Sequence, residues 1–167
     1  VSVSLPRVYS EPLSGLQTYP TLASTTTSLK SGKTPTTTKA KFYLSSQSLA
    51  QLHGTDPRIT PLVQRAIQIT KVDFGIPQDG GLRTSERQRE LFELKVSQCD
   101  GYHHKSYHQF GRAFDVYAYV EGDASWDEKH LALVAAAILQ AANELGYRVE
   151  WGGLWASQDM PHFQFVN

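Results

Sequence analysis

The stretch Ser24–Lys41, STTTSLKSGKTPTTTKAK, does most to limit what this chain can fold into. Its complexity is low and its large apolar residues are few, so it cannot bury enough surface to offset the entropy lost on ordering. Residues 1–41 together hold 16 Ser or Thr and four Pro. They read as a flexible or partly extended tail, although Leu5, Val8, Tyr9, Leu13, Leu16 and Tyr19 could dock on something. A folding core must therefore come from residues 42–167, a length suited to one domain. Charge divides at the same place. The chain balances 16 Lys+Arg against 16 Asp+Glu, but Arg7, Lys30, Lys33, Lys39 and Lys41 face only Glu11 in the tail. The body is left with 11 basic and 15 acidic residues. An acidic body and a tail without interleaved aromatic and basic residues argue against a nucleic-acid partner.

Cys99 is the single cysteine, so an internal disulfide, a multi-cysteine zinc site and an iron–sulfur cluster are excluded. No run of 18 apolar residues exists, so no membrane-spanning helix is expected. A basic start followed by an apolar segment is missing, so no signal peptide is visible. The chain begins with Val, which leaves a removed leader open.

The body alternates helical and extended patterns. Ser46 can cap a short helix ending at Gly54. Asp56-Pro57 predicts an N-cap and first turn, and Ile59, Leu62, Val63, Ala66 and Ile67 form a helical stripe running to about Val72. Phe74–Pro77 and Gly81–Arg83 read as short strands around Gln78-Asp79-Gly80. Ser85 and Gln88 suit a capping box that opens a helix to about Val96, followed by a polar loop, Ser97–Tyr107. Arg112–Val120 alternates as a strand, with Phe114, Val116, Ala118 and Val120 on one face and Ala113, Asp115, Tyr117 and Tyr119 on the other. Ser125 and Glu128 predict another capped helix, striped by Leu131, Val134, Ala135, Ile138, Leu139, Ala142 and Leu145 and ended by Gly146. Tyr147–Trp151 and Pro161–Val166 are the closing strands. Helices early and strands late predict an α+β fold, a small and mainly antiparallel sheet packed against helices.

Six histidines divide by context. His53 and His130 read as surface residues of helices, and His103-His104 as part of a solvated loop. His108 and Asp115 stand apart. Asp115 interrupts an apolar strand, where a carboxylate needs a partner, and Gly111 lets the chain turn so that His108 can approach it. His162 starts the last strand and shares a face with Gln164. Two imidazoles and a carboxylate make a three-ligand set for Zn²⁺ with a fourth position open, and Asp159 could then accept a proton from water. The same residues also fit a plainer arrangement, an Asp bonded to a strand-end His and a terminal His with no role.

The order and context of these residues carry a resemblance. Ser106, His108, Gly111, Ala113 and Asp115 fill every fixed position of S-x-H-x-x-G-x-A-x-D. Asp159 and His162 fit a late D-x-x-H, and Gly81-Leu82-Arg83-Thr84 followed by Gln88 looks like a G-x-R-T segment. Phe42–Ile69 resembles the entry helices of phage-type members. Over about residues 42–167 the chain resembles the LAS-type zinc peptidases of bacterial cell walls, and most closely the phage L-alanyl-D-glutamate endopeptidases. Its base position holds Asp159, where the carboxypeptidase and dipeptidase branches usually carry Glu.

The resemblance implies a hedgehog/DD-peptidase-like fold with one catalytic Zn²⁺ in a groove on the sheet, bound by His108, Asp115 and His162. It makes Asp159 the base and gives Arg83 to the developing oxyanion or a substrate carboxylate. Ser106 and Gln88 become candidate substrate contacts, with capping as the plain alternative for each. Tyr102, Tyr107, Trp126, Trp151 and Trp155 could line a groove, with packing the default for the tryptophans. Gly152-Gly153 predicts a tight turn near the site. The expected partner is peptidoglycan, met by a monomer made in a phage host or carried in a virion. D-alanyl-D-alanine carboxypeptidase and a non-catalytic wall-binding or virion module are the alternative functions.

Overall fold

A computed structural model describes residues 42–166. The predicted tail, residues 1–41, lies outside the described residues.

Helix α1 (Ser46–Gln51) is capped by the Ser45 hydroxyl, which accepts from the Ser48 amide at 3.0 Å. Helix α2 (Ile59–Ile69) buries Ile59, Leu62, Val63, Ala66 and Ile67, the predicted stripe. It starts later than Asp56-Pro57 suggests, because Asp56 does not cap it. The Asp56 carboxylate instead takes the Arg58 amide at 3.0 Å and the Arg58 guanidinium at 2.7 and 2.9 Å. Strand β1 (Asp73–Gly75) follows, and then helix α3 (Ser85–Glu93), whose cap is Thr84 rather than Ser85. Helix α4 (Glu128–Leu145) is capped by Asp127, and Gly146 ends it at φ 70°, a left-handed conformation that favours glycine. Ser125, the predicted cap, faces His130 Nδ1 at 2.8 Å instead. α4 packs along α2, and Arg65 on α2 pairs with Glu144 on α4 at 2.6 Å.

The predicted strand Arg112–Val120 is two strands, β2 (Ala113–Asp115) and β3 (Tyr117–Val120), and they belong to different sheets. One sheet has the order β1-β3-β4, where β4 is Asp123–Ser125. The other has the order β2-β6-β5, where β5 is Val149–Trp151 and β6 is His162–Phe165. Every pairing is antiparallel. The switch falls at Val116, which is fully buried and donates its amide to the Pro161 carbonyl at 3.0 Å. The predicted alternation survives the break, with Phe114, Val116 and Ala118 buried on one side.

Gly81–Arg83 is not a strand, so the predicted hairpin does not form. The turn at Gln78-Asp79 is present, closed by the Gly80 amide on the Pro77 carbonyl at 2.9 Å, but β1 pairs with β3. The groups of residues 80–83 that a ladder would use are bonded elsewhere: the Gly80 carbonyl accepts from the Asp115 amide at 2.8 Å, and the Arg83 amide donates to the His108 carbonyl at 3.2 Å.

The core joins α2 and α4 to the inner faces of both sheets. Phe114 and Phe163 are directly opposed on β2 and β6, fully buried, and stacked with ring centroids 5.3 Å apart. Rings of this size bury about 150–250 Å² each, which at roughly 25 cal/mol per Å² is about 4–6 kcal/mol as an upper bound. That pair fixes the β2–β6 register, and the register fixes what stands on the opposite face.

Candidate active site

Phe114 faces Phe163 below the sheet, so their neighbours Asp115 and His162 face each other above it, as direct cross-strand partners. A slip of one residue would send both into the core. His108 arrives from a 3₁₀ turn, Tyr107–Phe110. Ser106 caps that turn by accepting the His108 amide at 3.3 Å, while Gln109 Oε1 accepts the Ser106 amide at 3.0 Å. Gly111 ends it at φ 64°, with its carbonyl taking the Asp56 amide at 2.8 Å. A side chain there would also meet the Gly54 carbonyl at 3.0 Å.

The three predicted ligands converge. His108 Nε2 stands 3.1 Å from His162 Nδ1 and 3.2 Å from Asp115 Oδ1, and His162 Nδ1 is 3.1 Å from that oxygen. The outer ring nitrogens are committed elsewhere. His108 Nδ1 donates to the Gly81 carbonyl at 2.8 Å, and His162 Nε2 donates to Gln164 Oε1 at 3.2 Å. Two inner ring nitrogens and a carboxylate oxygen thereby face one point, a group that could hold a metal ion. The donor set fits zinc: bonds of about 2.0 Å in a tetrahedron give edges of about 3.3 Å, close to the sides of this triangle. Among the described residues no other group of three or more His, Cys, Asp or Glu could hold a metal ion.

Hydrogen bonds outside the triangle hold it. Arg83 donates through Nη2 to Asp115 Oδ2 and through Nε to the Asp79 carbonyl at 2.7 Å. Burial opposes a charge on Asp115, but His108, His162 and Arg83 together hold its carboxyl well below the usual carboxylate range. Burial likewise opposes a charge on His162, and the Asp115 hydrogen bond and charge overcome it, so its pKa is raised. Gln164 passes the chain on, donating to Glu150 Oε2 at 3.1 Å from the directly opposed position on β5.

The triangle forms the floor of a cleft of about 940 Å³, and Arg83 and Gln164 lie beside it. Lys95–Cys99, just after α3, Lys105–Tyr107, Trp155 and Ser157–Asp159 also line the cleft. Asp159 is an exposed residue, yet desolvation of its carboxyl, followed by the Asp115 charge, raises its pKa. Its amide donates to the Gly152 carbonyl at 3.0 Å and its carbonyl accepts the His162 amide at 3.2 Å, which seats it just before the ligand strand. The predicted tight turn is a 3₁₀ turn, Gly152–Leu154, and a Cβ at Gly152 would stand 2.5 Å from the Asp159 carbonyl.

Other predicted residues divide. Ser106 lines the cleft and also caps the turn that carries His108. Gln88 is fully buried and does not line the cleft. Its amide nitrogen binds Ser97 Oγ at 2.7 Å and the Cys99 carbonyl at 3.0 Å, and so braces one cleft wall. Nor is it a cap partner, because α3 is capped by Thr84 through the Arg87 amide at 3.1 Å. Tyr107 and Trp155 line the cleft, and Trp155 lies 5.3 Å from the His162 ring. Trp151 packs against Phe163, while Tyr102 and Trp126 are exposed outside the cleft. The sequence reading missed the partners of the ligands: the Gly81 carbonyl, Gln164 and Glu150. The shared face of His162 and Gln164 was the available signal for one of them.

Comparison with known proteins agrees with this geometry. The family described as phage L-alanyl-D-glutamate peptidase matches residues 40–164. The L-alanyl-D-glutamate peptidase of Escherichia phage T5 is 29% identical over 115 residues, 68% of this chain and 82% of that one. The crystal structure of the Serratia marcescens L-Ala D-Glu endopeptidase ChiX is similar with a TM-score of 0.67 at 34% identity, covering 75% of this chain and 92% of that one. The chain belongs to the phage L-alanyl-D-glutamate peptidase family.

Proposed function

We propose that residues 42–167 form a zinc-dependent endopeptidase that hydrolyses the L-alanyl-D-glutamate bond of peptidoglycan stem peptides. The observation that carries this reading is the triangle of inward-facing donor atoms on His108, Asp115 and His162, with Asp159 on the wall above it. Those three residues would hold the ion, which when bound supplies Lewis-acid polarisation of a carbonyl and lowers the pKa of water.

The remaining work falls to the chain itself. Asp159 takes the proton of the attacking water on its carboxylate and returns it to the leaving amine, from its place on the cleft lining three residues before His162. Arg83 keeps Asp115 ionised and oriented. Its Nη1 makes no hydrogen bond among the described residues and is the donor left for a developing oxyanion. Ser106 orients His108 through the turn and borders the substrate. The proposed working unit is a monomer that acts on the wall from a lysing host cell or a virion. The family match beginning at residue 40 supports the division of the chain, with residues 1–41 as an appendage.

Digestion of purified peptidoglycan followed by mass spectrometry tests the reaction. Fragments with a new N-terminal glutamate are expected; release of free D-alanine with no such fragments would overturn the assignment.

A further inference from the structure

The cleft carries two cations for which the mechanism has no use. Lys95 and Lys105 both line the cleft, as does Asp159. Arg83, the other Lys or Arg of the cleft, is neutralised by Asp115. Neither lysine makes an ion pair or side-chain hydrogen bond among the described residues.

The backbone at Lys95 makes its identity informative. Helix α3 ends in two bonds, from the Val96 amide to the Leu91 carbonyl at 3.0 Å and from the Lys95 amide to the Phe92 carbonyl at 2.9 Å. That pattern places Lys95 at the position where helices usually carry glycine, and its φ is indeed 61°. The equivalent position at the end of α4 is Gly146. A lysine here accepts left-handed strain that glycine would avoid, and the strain lies on the cleft wall, where a functional side chain would justify it.

The substrate of the proposed reaction supplies a matching anion. A glutamyl residue in an alanyl–glutamyl bond has given its amine to that bond, and the peptide continues through one of its two carboxyls. The other stays free as a carboxylate within a few bonds of the scissile amide. We propose that Lys95 and Lys105 form the subsite for this carboxylate, making the enzyme selective for the acid over its carboxamide. This inference rests on the endopeptidase reading. Two unpaired ammonium groups at the edge of a cleft favour a carboxylate through charge-assisted hydrogen bonds and have nothing comparable to offer a neutral amide.

The test uses two soluble peptides, one with the alanyl–glutamyl bond followed by a free glutamyl carboxylate and the other with that group as a carboxamide. The full-length zinc-loaded chain should prefer the acid by about tenfold in kcat/KM, carried by KM and weakened by added salt. In Lys95→Met/Lys105→Met the preference should collapse toward one. Lys95→Gly separates charge from fold: it should unfold at a higher denaturant concentration than the wild type yet show a raised KM for the acid peptide. A preference that survives in the double variant, or a wild type that cuts both peptides equally well, overturns the subsite alone. If the wild type cuts neither peptide, the endopeptidase reading fails and the subsite fails with it.

Discussion

Two three-stranded sheets grow from one stretch of sequence, Arg112–Val120, and among the described residues only one of them carries members of a cluster that could hold a metal ion. In β2 and in β3 alike, small or apolar residues alternate with polar or aromatic ones, and Phe114 and Ala118 both face the core. They differ in what lies opposite. Asp115 meets His162 across the β2–β6 pair, whereas Tyr117 meets Gly75 and Tyr119 meets Asp73 across the β1–β3 pair. Alternation decides which face a side chain takes, and the cross-strand partner decides whether that face can hold an ion. A carboxylate inside an apolar strand is therefore informative only with its partner strand, here one that lies 47 residues away.

The largest effect should come from breaking the working sheet at its polar face. Asp115→Asn keeps the shape and removes the charge, so bound zinc and peptidoglycan hydrolysis should both fall to background. Tyr119→Ala, at an exposed position of the other sheet, should leave both intact and change stability by no more than about 0.5 kcal/mol. Metal analysis on the purified variants, beside a wall-clearing assay, distinguishes them. Zinc retained by Asp115→Asn would remove the carboxylate from the site.

The hidden face of the same sheet should give the next effect. Phe163→Ala opens a cavity beneath the ligands, between Phe114 and Trp151, and should cost about 3–5 kcal/mol in denaturant unfolding. A smaller but more pointed change is Gln164→Met, which fills similar space without accepting the His162 Nε2 hydrogen. Zinc affinity measured against a competing chelator should drop by about 10–100-fold while the folded chain keeps most of its stability. Unchanged affinity would mean that the ring is held by packing alone.

How much of this the sequence reveals follows from the range of the interactions involved. The ligand triad, the Asp159 position, the Gly111 turn and the Gly146 helix end rest on local spacing and on a motif, and all are legible. The division of Arg112–Val120 into two sheets is not, because no proline or glycine breaks the alternation and the break is made by the Val116 amide reaching Pro161. The extended pattern at residues 74–83 does not become a hairpin for a related reason: the groups of residues 80–83 are hydrogen-bonded to His108 and Asp115. Gln88 fits a capping pattern on paper and instead braces the loop at Ser97 and Cys99, a contact that pattern does not encode. The observed helix caps lie one or two residues from the predicted ones, at Ser45, Arg58, Thr84 and Asp127.

The two sheets also treat their half-buried acids with opposite sign, which gives the smallest and most selective test. Asp115 is held ionised by its hydrogen bonds and electrostatic contacts with His108, His162 and Arg83, while Asp73, in β1, has its pKa raised by desolvation, only partly offset by the Phe74 amide that donates to it at 2.8 Å. An acid whose folded pKa is raised binds its proton more readily in the folded state, so its ionisation destabilises the fold. That penalty is absent below the unfolded value of 3.8, grows as pH rises through the window between the two pKa values, and is complete above the folded one. Asp73→Asn removes it. The variant should therefore be at least as stable as the wild type at neutral pH, by a small margin that solvent screening of this carboxyl limits, with the difference shrinking to nothing as pH falls toward 3.8. Denaturant midpoints across that range measure it directly. A variant that loses stability at neutral pH would show that the Asp73 carboxylate holds the β1–β3 edge together rather than straining it, and that the silent sheet depends on a charge just as the working one does.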